Sequence, residues 1–248
     1  MRIAVLDALY PPACLLCRRR VVAPLSKPHA GLGARNRLFC DACEGAMPVL
    51  RPPVCQRCGV GLDGAYDAQF WCSRCRTRAF AFEQARAPFV YLGAVREAIH
   101  AFKYDGHRRI GSWLAERMAQ TAARDLPVEE VTAVLPVPMH WLKRRLKGAN
   151  PAAFLAQTVA ELLHRPCHLR AVQRRRWTPS QTRLSLRQRF RNVADAFRPC
   201  RRAVEGQTIL LVDDVLTSGA TAHACADALR TAGAARVYVL TAACAPRP

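Results

Sequence analysis

The sequence predicts an α/β protein with a doubly wound parallel sheet, preceded by a small cysteine-rich region. Near the C-terminus, residues 208–212 and 235–243 form two apolar runs, which is typical of strands buried on both faces of a parallel sheet. Between them, residues 222–233 have the pattern of a helix closed by Gly233, so this stretch predicts a βαβ unit with a right-handed crossover. Near the N-terminus, eight cysteines form four C-x-x-C pairs, which is typical of metal-binding knuckles.

The loop between the first of these strands and the helix has the composition of an anion site. Its residues are small or carry hydroxyls: Thr217, Ser218, Gly219, Ala220 and Thr221. Backbone N–H groups at a helix N-terminus favour a phosphate, and glycine lets the backbone approach it closely. Asp213 and Asp214 precede the loop and would repel a phosphate, so they suit the vicinal hydroxyls of a ribose, which donate hydrogen bonds to carboxylates. The stretch predicts a ribose 5-phosphate site; the alternative is an ordinary turn with a polar helix cap.

The cysteine pairs predict two structural zinc ions. The ligands are Cys14, Cys17, Cys40, Cys43, Cys55, Cys58, Cys72 and Cys75. Two pairs complete a tetrahedral site with no open position, and combining consecutive pairs is simplest, although an interleaved arrangement stays open. Residues 1–80 are rich in proline and glycine, so we expect metal to supply the folding free energy of this domain. We expect a second domain, residues 81–248, to stay folded when the thiolates are removed.

Composition favours a polyanionic partner. The chain has 38 Lys and Arg against 18 Asp and Glu, a formal net charge of +20. This excess suits nucleic acid, a phosphorylated ligand or an anionic membrane surface, and a bias of the genome toward arginine does not explain the shortage of acids. No apolar run is long enough to predict a transmembrane helix, and the N-terminus lacks the form of a signal peptide. Paired cysteines without an export signal favour a cytoplasmic protein.

A second buried strand, predicted at residues 131–138, is followed by a cationic loop and by a helix that begins at Pro151. The candidate anion ligands of this loop are His140, Lys143, Arg144 and Arg145. Loops at the carboxyl ends of neighbouring parallel strands share a crevice, so these cations can face the phosphate loop. The alternative is a basic, solvated helix cap. The same choice applies to an upstream basic loop with Lys103, His107, Arg108 and Arg109.

A basic arm follows a short strand predicted at residues 168–172. It covers residues 174–191 and interleaves arginine with aromatic side chains. This combination suits single-stranded nucleic acid, whose bases stack on aromatic rings while guanidinium groups pair with phosphates. The candidate contacts are Arg174, Arg175, Arg176, Trp177 and Phe190. A solvated arm without a ligand is the alternative.

The motif VDDVLTSGAT, residues 212–221, resembles the phosphoribosyl pyrophosphate (PRPP) loop of type I phosphoribosyltransferases. The full set of motifs, in order YPPACLLC, the cysteine pairs, FKYDG, VLPVPMHWLKRRLKGAN, WTPSQTRLSLRQRFRNVADAF and LLVDDVLTSGAT, resembles the ComF-type competence proteins over nearly the whole chain. One motif departs from that pattern. Residues 148–151 are Gly-Ala-Asn-Pro where the family usually has Gly-Phe-Asn-Gln, which keeps the glycine and the asparagine.

The resemblance implies a double zinc ribbon followed by a type I phosphoribosyltransferase-like domain. It implies that Asp213 and Asp214 bind the ribose hydroxyls, that residues 217–221 hold the 5-phosphate, and that the cationic loop faces pyrophosphate with Mg²⁺. It also implies a role in natural competence, with single-stranded DNA and competence proteins as partners, in the cytoplasm or at the inner face of the membrane. The sequence indicates no proton-transfer residue, so a non-catalytic nucleic-acid-binding module on the same fold is the alternative.

Overall fold

The computed structural model describes residues 13–21, 37–62, 70–142, 145, 148–177 and 185–246. The helices are α1 (Asp41–Gly45), α2 (Ser73–Thr77), α3 (Gly93–Tyr104), α4 (Arg108–Asp125), α5 (Pro151–Leu162), α6 (Leu186–Val193), α7 (Arg201–Val204) and α8 (Ala220–Thr231). The strands are β1 (Ala85–Arg86), β2 (Phe89–Val90), β3 (Ala133–Pro136), β4 (Val172–Arg174), β5 (Phe197–Pro199), β6 (Thr208–Leu216) and β7 (Arg236–Cys244). None of the helices within these ranges is long and apolar enough to cross a membrane.

The main sheet is parallel, with the order β1-β7-β6-β3, and β2 extends the edge formed by β1 along the same strand β7. Pro88 separates the two short edge strands; it has no N–H to donate to a ladder. In the centre, Ile209 of β6 pairs with Ala133 of β3 and with Val237 of β7. The carboxyl ends of β3, β6 and β7 therefore lie side by side, as a doubly wound sheet requires.

Successive side chains of β6 point to opposite faces of the sheet and pack in two different hydrophobic cores. Ile209 and Leu211 are completely buried in a core that contains α8, whereas Leu210 and Val212 are completely buried in a core that contains α3, α4 and α5. Both faces of the sheet are covered, which is why the strand has an uninterrupted apolar run.

The two cysteine clusters lie on opposite faces of this sheet. The core with α8 includes Cys55 and Cys75, and the core with α3, α4 and α5 includes Cys14 and Phe39. The cysteine-rich region is therefore part of the packing of the sheet. Removing the region would uncover apolar surface on both faces of the sheet, so we now predict that the region and the sheet depend on each other for folding.

Three predicted elements differ from the structure. Strand β6 continues through Leu216, because its pairing with β7 extends as far as Leu216 beside Cys244. Strand β3 is shorter than predicted and spans four residues. Only Val172 of the strand predicted at 168–172 is in a strand, because β4 pairs antiparallel with β5 outside the main sheet. The helix predicted from Pro151 is confirmed, and Asn150 caps its first turn.

Candidate functional site

Asp213 and Asp214 lie within the carboxyl end of β6, two residues before the strand ends. The Asp213 carboxylate accepts a hydrogen bond from the Asp214 N–H at 2.9 Å. The Asp214 carboxylate pairs with the ammonium group of Lys103, at the C-terminal end of α3, with 2.7 Å between Oδ2 and Nζ. Each side chain of this ion pair is 20% exposed. The two acids therefore differ: Asp214 has a fixed cation partner, whereas Asp213 receives a backbone hydrogen bond.

The surroundings of the two acids raise the pKa of the Asp213 carboxyl group. Burial, with the charge of Asp214 as a second cause, raises the pKa of Asp213 to about 7, against the stabilising influence of Lys103 and Arg174. Burial opposes the charge of Lys103, but the Asp214 carboxylate outweighs it and raises the pKa of the ammonium group. The site therefore contains one fixed ion pair beside a carboxyl group that titrates near neutral pH.

The predicted phosphate loop connects β6 directly to α8. Gly219 has a φ of 78° and supplies no side-chain cap, so an anion suits the first turn of the helix. The buried Ser218 hydroxyl accepts a hydrogen bond from the Ala220 N–H at 3.3 Å, whereas Thr217 is exposed. A Cβ atom at Gly219 would lie 2.9 Å from the ring of Phe80, which is why a glycine suits this position. Thr221 lies in the first turn of α8 and is half-buried.

The cationic loop after β3 differs from our expectation at His140. Its imidazole is buried, and both nitrogens have protein partners: Nε2 donates to the Arg175 carbonyl at 3.2 Å, and Nδ1 accepts from the Leu142 N–H at 3.3 Å. His140 therefore holds the loop against the basic arm instead of facing pyrophosphate. Arg145 is exposed, and Lys143 and Arg144 lie outside the described residues.

The retained residues of the Gly-Ala-Asn-Pro motif stabilise this loop. Gly148 has a φ of 82°, which favours glycine. The Asn150 side chain donates to the Val137 carbonyl at 3.1 Å and accepts from the Ala152 N–H at 3.2 Å. Gly148 and Asn150 thus have structural roles in this chain although the phenylalanine and the glutamine of the family motif are absent.

The described residues of the predicted nucleic-acid arm have different surroundings. Arg174 is partly buried with its guanidinium 5.4 Å from the ring centroid of Phe197, and burial lowers its pKa against the charge of Asp213. The Arg176 guanidinium donates to the carbonyls of Ala194, Asn192 and Arg191 at the end of α6. Phe190 packs against Phe80 and His223 with the Arg78 guanidinium 3.9 Å from its ring centroid.

Trp177 and Arg175 are exposed, and so is Arg176 beside its carbonyl partners. The Trp177 ring meets His140 edge-on at 5.5 Å, and Trp141 lies on the same imidazole at 5.6 Å. Trp141 is 55% exposed and Trp177 is 43% exposed. Sequence reasoning did not single out Trp141, although it adjoins His140, nor the pairing of Lys103 with Asp214, which only the fold brings together.

The cysteines form two clusters of four, in consecutive pairs. Cys14, Cys17, Cys40 and Cys43 form the first cluster, and Cys55, Cys58, Cys72 and Cys75 form the second. Within each cluster the four sulfur atoms lie within 4.8 Å of one another. Four thiolates at this separation fit a structural zinc ion, so the consecutive pairing is confirmed and the interleaved alternative is wrong.

Comparison with known proteins gives the same organisation. Residues 5–76 match the model of the double zinc ribbon domain, and residues 147–247 match that of the phosphoribosyl transferase domain. The chain is 30% identical over 236 residues to the DNA utilization protein YhgH of Escherichia coli, over 92% of this chain and 95% of that protein.

Two competence proteins are also similar. Competence protein F of Haemophilus influenzae is 28% identical over 212 residues, over 83% of this chain and 90% of that protein. Competence protein ComFC of Bacillus subtilis is 24% identical over 225 residues, over 90% of each. With a double zinc ribbon, a phosphoribosyltransferase domain and relatives aligned over nearly their whole length, the chain belongs to the ComF family of competence proteins.

Proposed function

We propose that the chain binds PRPP with Mg²⁺ at the carboxyl end of β6, and that it does so in the handling of incoming single-stranded DNA in the cytoplasm. One observation carries the proposal. A single strand presents two carboxylates and leads directly, through a loop with a positive φ at Gly219, into the N-terminus of α8, whose N-cap residue has no side chain. Carboxylates suit ribose hydroxyls and the helix N-terminus suits a phosphate, so the strand matches both ends of a ribose 5-phosphate.

In this arrangement Asp213 and Asp214 accept hydrogen bonds from the ribose hydroxyls, and residues 217–221 hold the 5-phosphate. The loop after β3 lies beside this site because β3 pairs with β6. Its exposed cation Arg145 is suited to the pyrophosphate, with Lys143 and Arg144 as further candidates in the sequence. His140 positions this loop through its bonds to Arg175 and Leu142.

Mg²⁺ in this proposal arrives with the pyrophosphate. Such ions are typically held by substrate phosphates with one or two carboxylates, and the Asp213–Asp214 pair provides these. When bound, the ion neutralises charge on the pyrophosphate. In this proposal the protein holds the ribose ring and both phosphate groups in fixed positions. Such positioning is the main contribution of a protein when the bond to a phosphorylated leaving group breaks. Transfer to an acceptor needs a nucleophile in addition, and our proposal concerns binding.

Contact with single-stranded DNA is the second part of the proposal. The supporting observations are the net charge of +20 and the exposed rings of Trp141 and Trp177, which both contact His140, with Arg175 and Arg145 exposed nearby in sequence. Bases stack on exposed aromatic rings, and guanidinium groups pair with the backbone. The names of the relatives refer to DNA utilization and competence, which agrees with this assignment. A non-catalytic nucleic-acid-binding module is the rival, and it predicts DNA binding without affinity for PRPP.

Calorimetric titration separates the two functions. PRPP with Mg²⁺ should bind the zinc-loaded chain saturably at one site, and ribose 5-phosphate should bind more weakly because it lacks the pyrophosphate. Adenosine, which has ribose hydroxyls but no phosphate, is the matched control. Absence of PRPP binding by a folded protein that still binds single-stranded DNA would support the rival.

A further inference from the structure

We infer that the second cysteine cluster is a brace of the 5-phosphate loop, with Arg57, Arg74 and Phe80 as positioning residues. Loading of this cluster with zinc then determines whether the loop is held in the form that accepts a phosphate. The inference rests on the proposed function and adds to it a means of regulation: the phosphate site depends on metal bound elsewhere in the chain.

One knuckle of the cluster reaches the loop through Arg74. This residue lies between Cys72 and Cys75 in α2, and its Nη1 atom donates to the Thr217 carbonyl at 3.3 Å. Thr217 is the first residue after β6, so the bond fixes the point at which the chain leaves the strand. Residues 74 and 217 are 143 positions apart, and the contact therefore joins the cysteine-rich region to the phosphoribosyltransferase domain.

The other knuckle reaches the loop through Arg57 and Phe80. Arg57 lies between Cys55 and Cys58, and its Nη1 atom donates to the Phe80 carbonyl at 3.3 Å. The buried Phe80 ring lies directly against Gly219, where a Cβ would approach within 2.9 Å of it. Next to Phe80, the Ala81 N–H donates to Nδ1 of His223, in the first turn of α8, at 3.0 Å.

A small cavity of about 170 Å³, lined in part by Arg74 and Phe80, lies between the cluster and the loop. Its walls are the cysteine knuckles on one side, including Cys58 and Cys72, and the ends of β6 and β7 on the other. Because the cavity lies between the loop and the cluster, loss of the metal would allow the loop to move into this space. Both arginines lie inside C-x-x-C pairs, so their positions depend on the geometry of the knuckles.

The first cluster provides an internal control. It packs with α3, α4 and α5 on the opposite face of the sheet, and Cys17 is exposed. A chain that lacks the first zinc should therefore lose metal without loosening the phosphate loop.

The experiment compares Arg74→Ala with Arg76→Ala. Both remove one arginine from α2, where Arg74 is partly buried and Arg76 is exposed, but the Arg76 guanidinium lies over Phe70 instead of bonding to the loop. Ribose 5-phosphate is titrated calorimetrically into zinc-loaded protein. We expect Arg74→Ala to weaken binding about three- to tenfold, as for loss of one partly exposed hydrogen bond from a charged donor, and Arg76→Ala to leave binding within about twofold.

Hydrogen–deuterium exchange without ligand gives an independent readout. Amides of residues 217–221 should exchange faster in Arg74→Ala and in Cys75→Ser than in Arg76→Ala and in Cys17→Ser. Equal exchange and equal affinity in Arg74→Ala and Arg76→Ala would overturn the brace. If the parent chain does not bind ribose 5-phosphate, the proposed function fails, and the exchange comparison still decides whether the cluster holds the loop.

Discussion

Asp213 and Asp214 are adjacent in the sequence but have different partners. Asp214 forms an ion pair with Lys103 in which both side chains are 20% exposed, and Asp213 has a pKa raised to about 7 by burial and by the charge of Asp214. An Asn at position 214 would leave the Lys103 ammonium group partly buried beside the sheet without its charged partner.

Asp214→Asn should therefore lower the free energy of unfolding by about 1–2 kcal/mol, more than Asp213→Asn does. The double variant Lys103→Met/Asp214→Asn should recover part of that loss, since it removes the uncompensated charge. Urea denaturation followed by circular dichroism measures all three. A single variant Asp214→Asn as stable as the parent would show that the ion pair contributes nothing to folding.

The pKa of Asp213 gives a pH dependence with a defined sign. Its ordinary value is 3.8 and its folded value is about 7, so between these values the folded chain keeps a proton that the unfolded chain has released. The stability contributed by the protonated group is fully present below the lower value and is lost as pH rises through the upper one. The unfolding free energy of the parent relative to Asp213→Asn should therefore fall between about pH 4 and pH 7. A constant difference across this range would contradict the raised pKa.

Ligand binding should follow the opposite direction, because a ribose hydroxyl donates its hydrogen bond most strongly to the ionised carboxylate. The affinity for PRPP should increase from pH 6 to pH 8 in the parent. Since the ligand phosphates also titrate near pH 6, the quantity to compare is the ratio of parent to Asp213→Asn at each pH. That ratio should increase with pH.

At the scale of the element, the basic arm contains residues with different roles. Arg176, itself exposed, caps the end of α6 through three carbonyls, the partly buried Arg174 lies over the Phe197 ring, and Trp177 and Arg175 are exposed. A triple substitution of Arg174, Arg175 and Arg176 would therefore remove packing contacts and positive charge at the same time. Substitutions of Arg175 and Trp177 test nucleic-acid contact, whereas those of Arg174 and Arg176 also test packing.

Trp177→Ala and Trp141→Ala should each weaken binding of a single-stranded oligonucleotide by about 1–3 kcal/mol, the range for one lost base stack. Arg175→Ala should reduce the slope of log K against log salt by about 0.7. Fluorescence anisotropy at several salt concentrations measures both quantities. The matched comparison is Arg19→Ala, an exposed arginine of the first cluster region; a loss of slope there instead would place the DNA on the zinc ribbons.

Part of each element was predictable and part was not. The apolar run of β6, the helix from Pro151 and the glycine end of α8 follow from local patterns, and the structure has them. The extension of β6 through Leu216 depends on pairing with β7. Two acidic residues at positions 213 and 214 do not indicate a strand by their local sequence, so this extension could not be predicted. The roles of His140 and Phe190 depend on contacts with residues far away in the chain, so composition alone assigned both to ligands.

At the scale of the whole molecule, the cysteine-rich region and the sheet form shared cores. The second cluster shares a core with Ile209 and Leu211, and the first shares one with Leu210 and Val212. The sequence predicted two domains from composition, and composition does not show which surfaces they bury against each other. We propose that the boundary near residue 80 separates two regions of the sequence that share the same hydrophobic cores.

A fragment of residues 81–248 should consequently fail to fold cooperatively, whereas the full chain should melt in one transition with two zinc ions bound. Zinc content by mass spectrometry and thermal unfolding of both forms measure this. A fragment that melts cooperatively near the temperature of the full chain would contradict the shared core. Fewer than two zinc ions in reduced, folded, full-length protein would contradict the two metal sites.

The most direct test of the central claim is calorimetric titration of PRPP with Mg²⁺ into the parent and Asp213→Asn at pH 8, where the carboxyl group is ionised. A hydrogen bond to a charged group contributes about 1.5–3 kcal/mol, and about 1.4 kcal/mol corresponds to tenfold in affinity. We predict one saturable site in the parent and affinity about 10- to 100-fold lower in Asp213→Asn, with the melting temperature preserved. Equal affinity in the two proteins would contradict the claim that β6 presents a ribose 5-phosphate site.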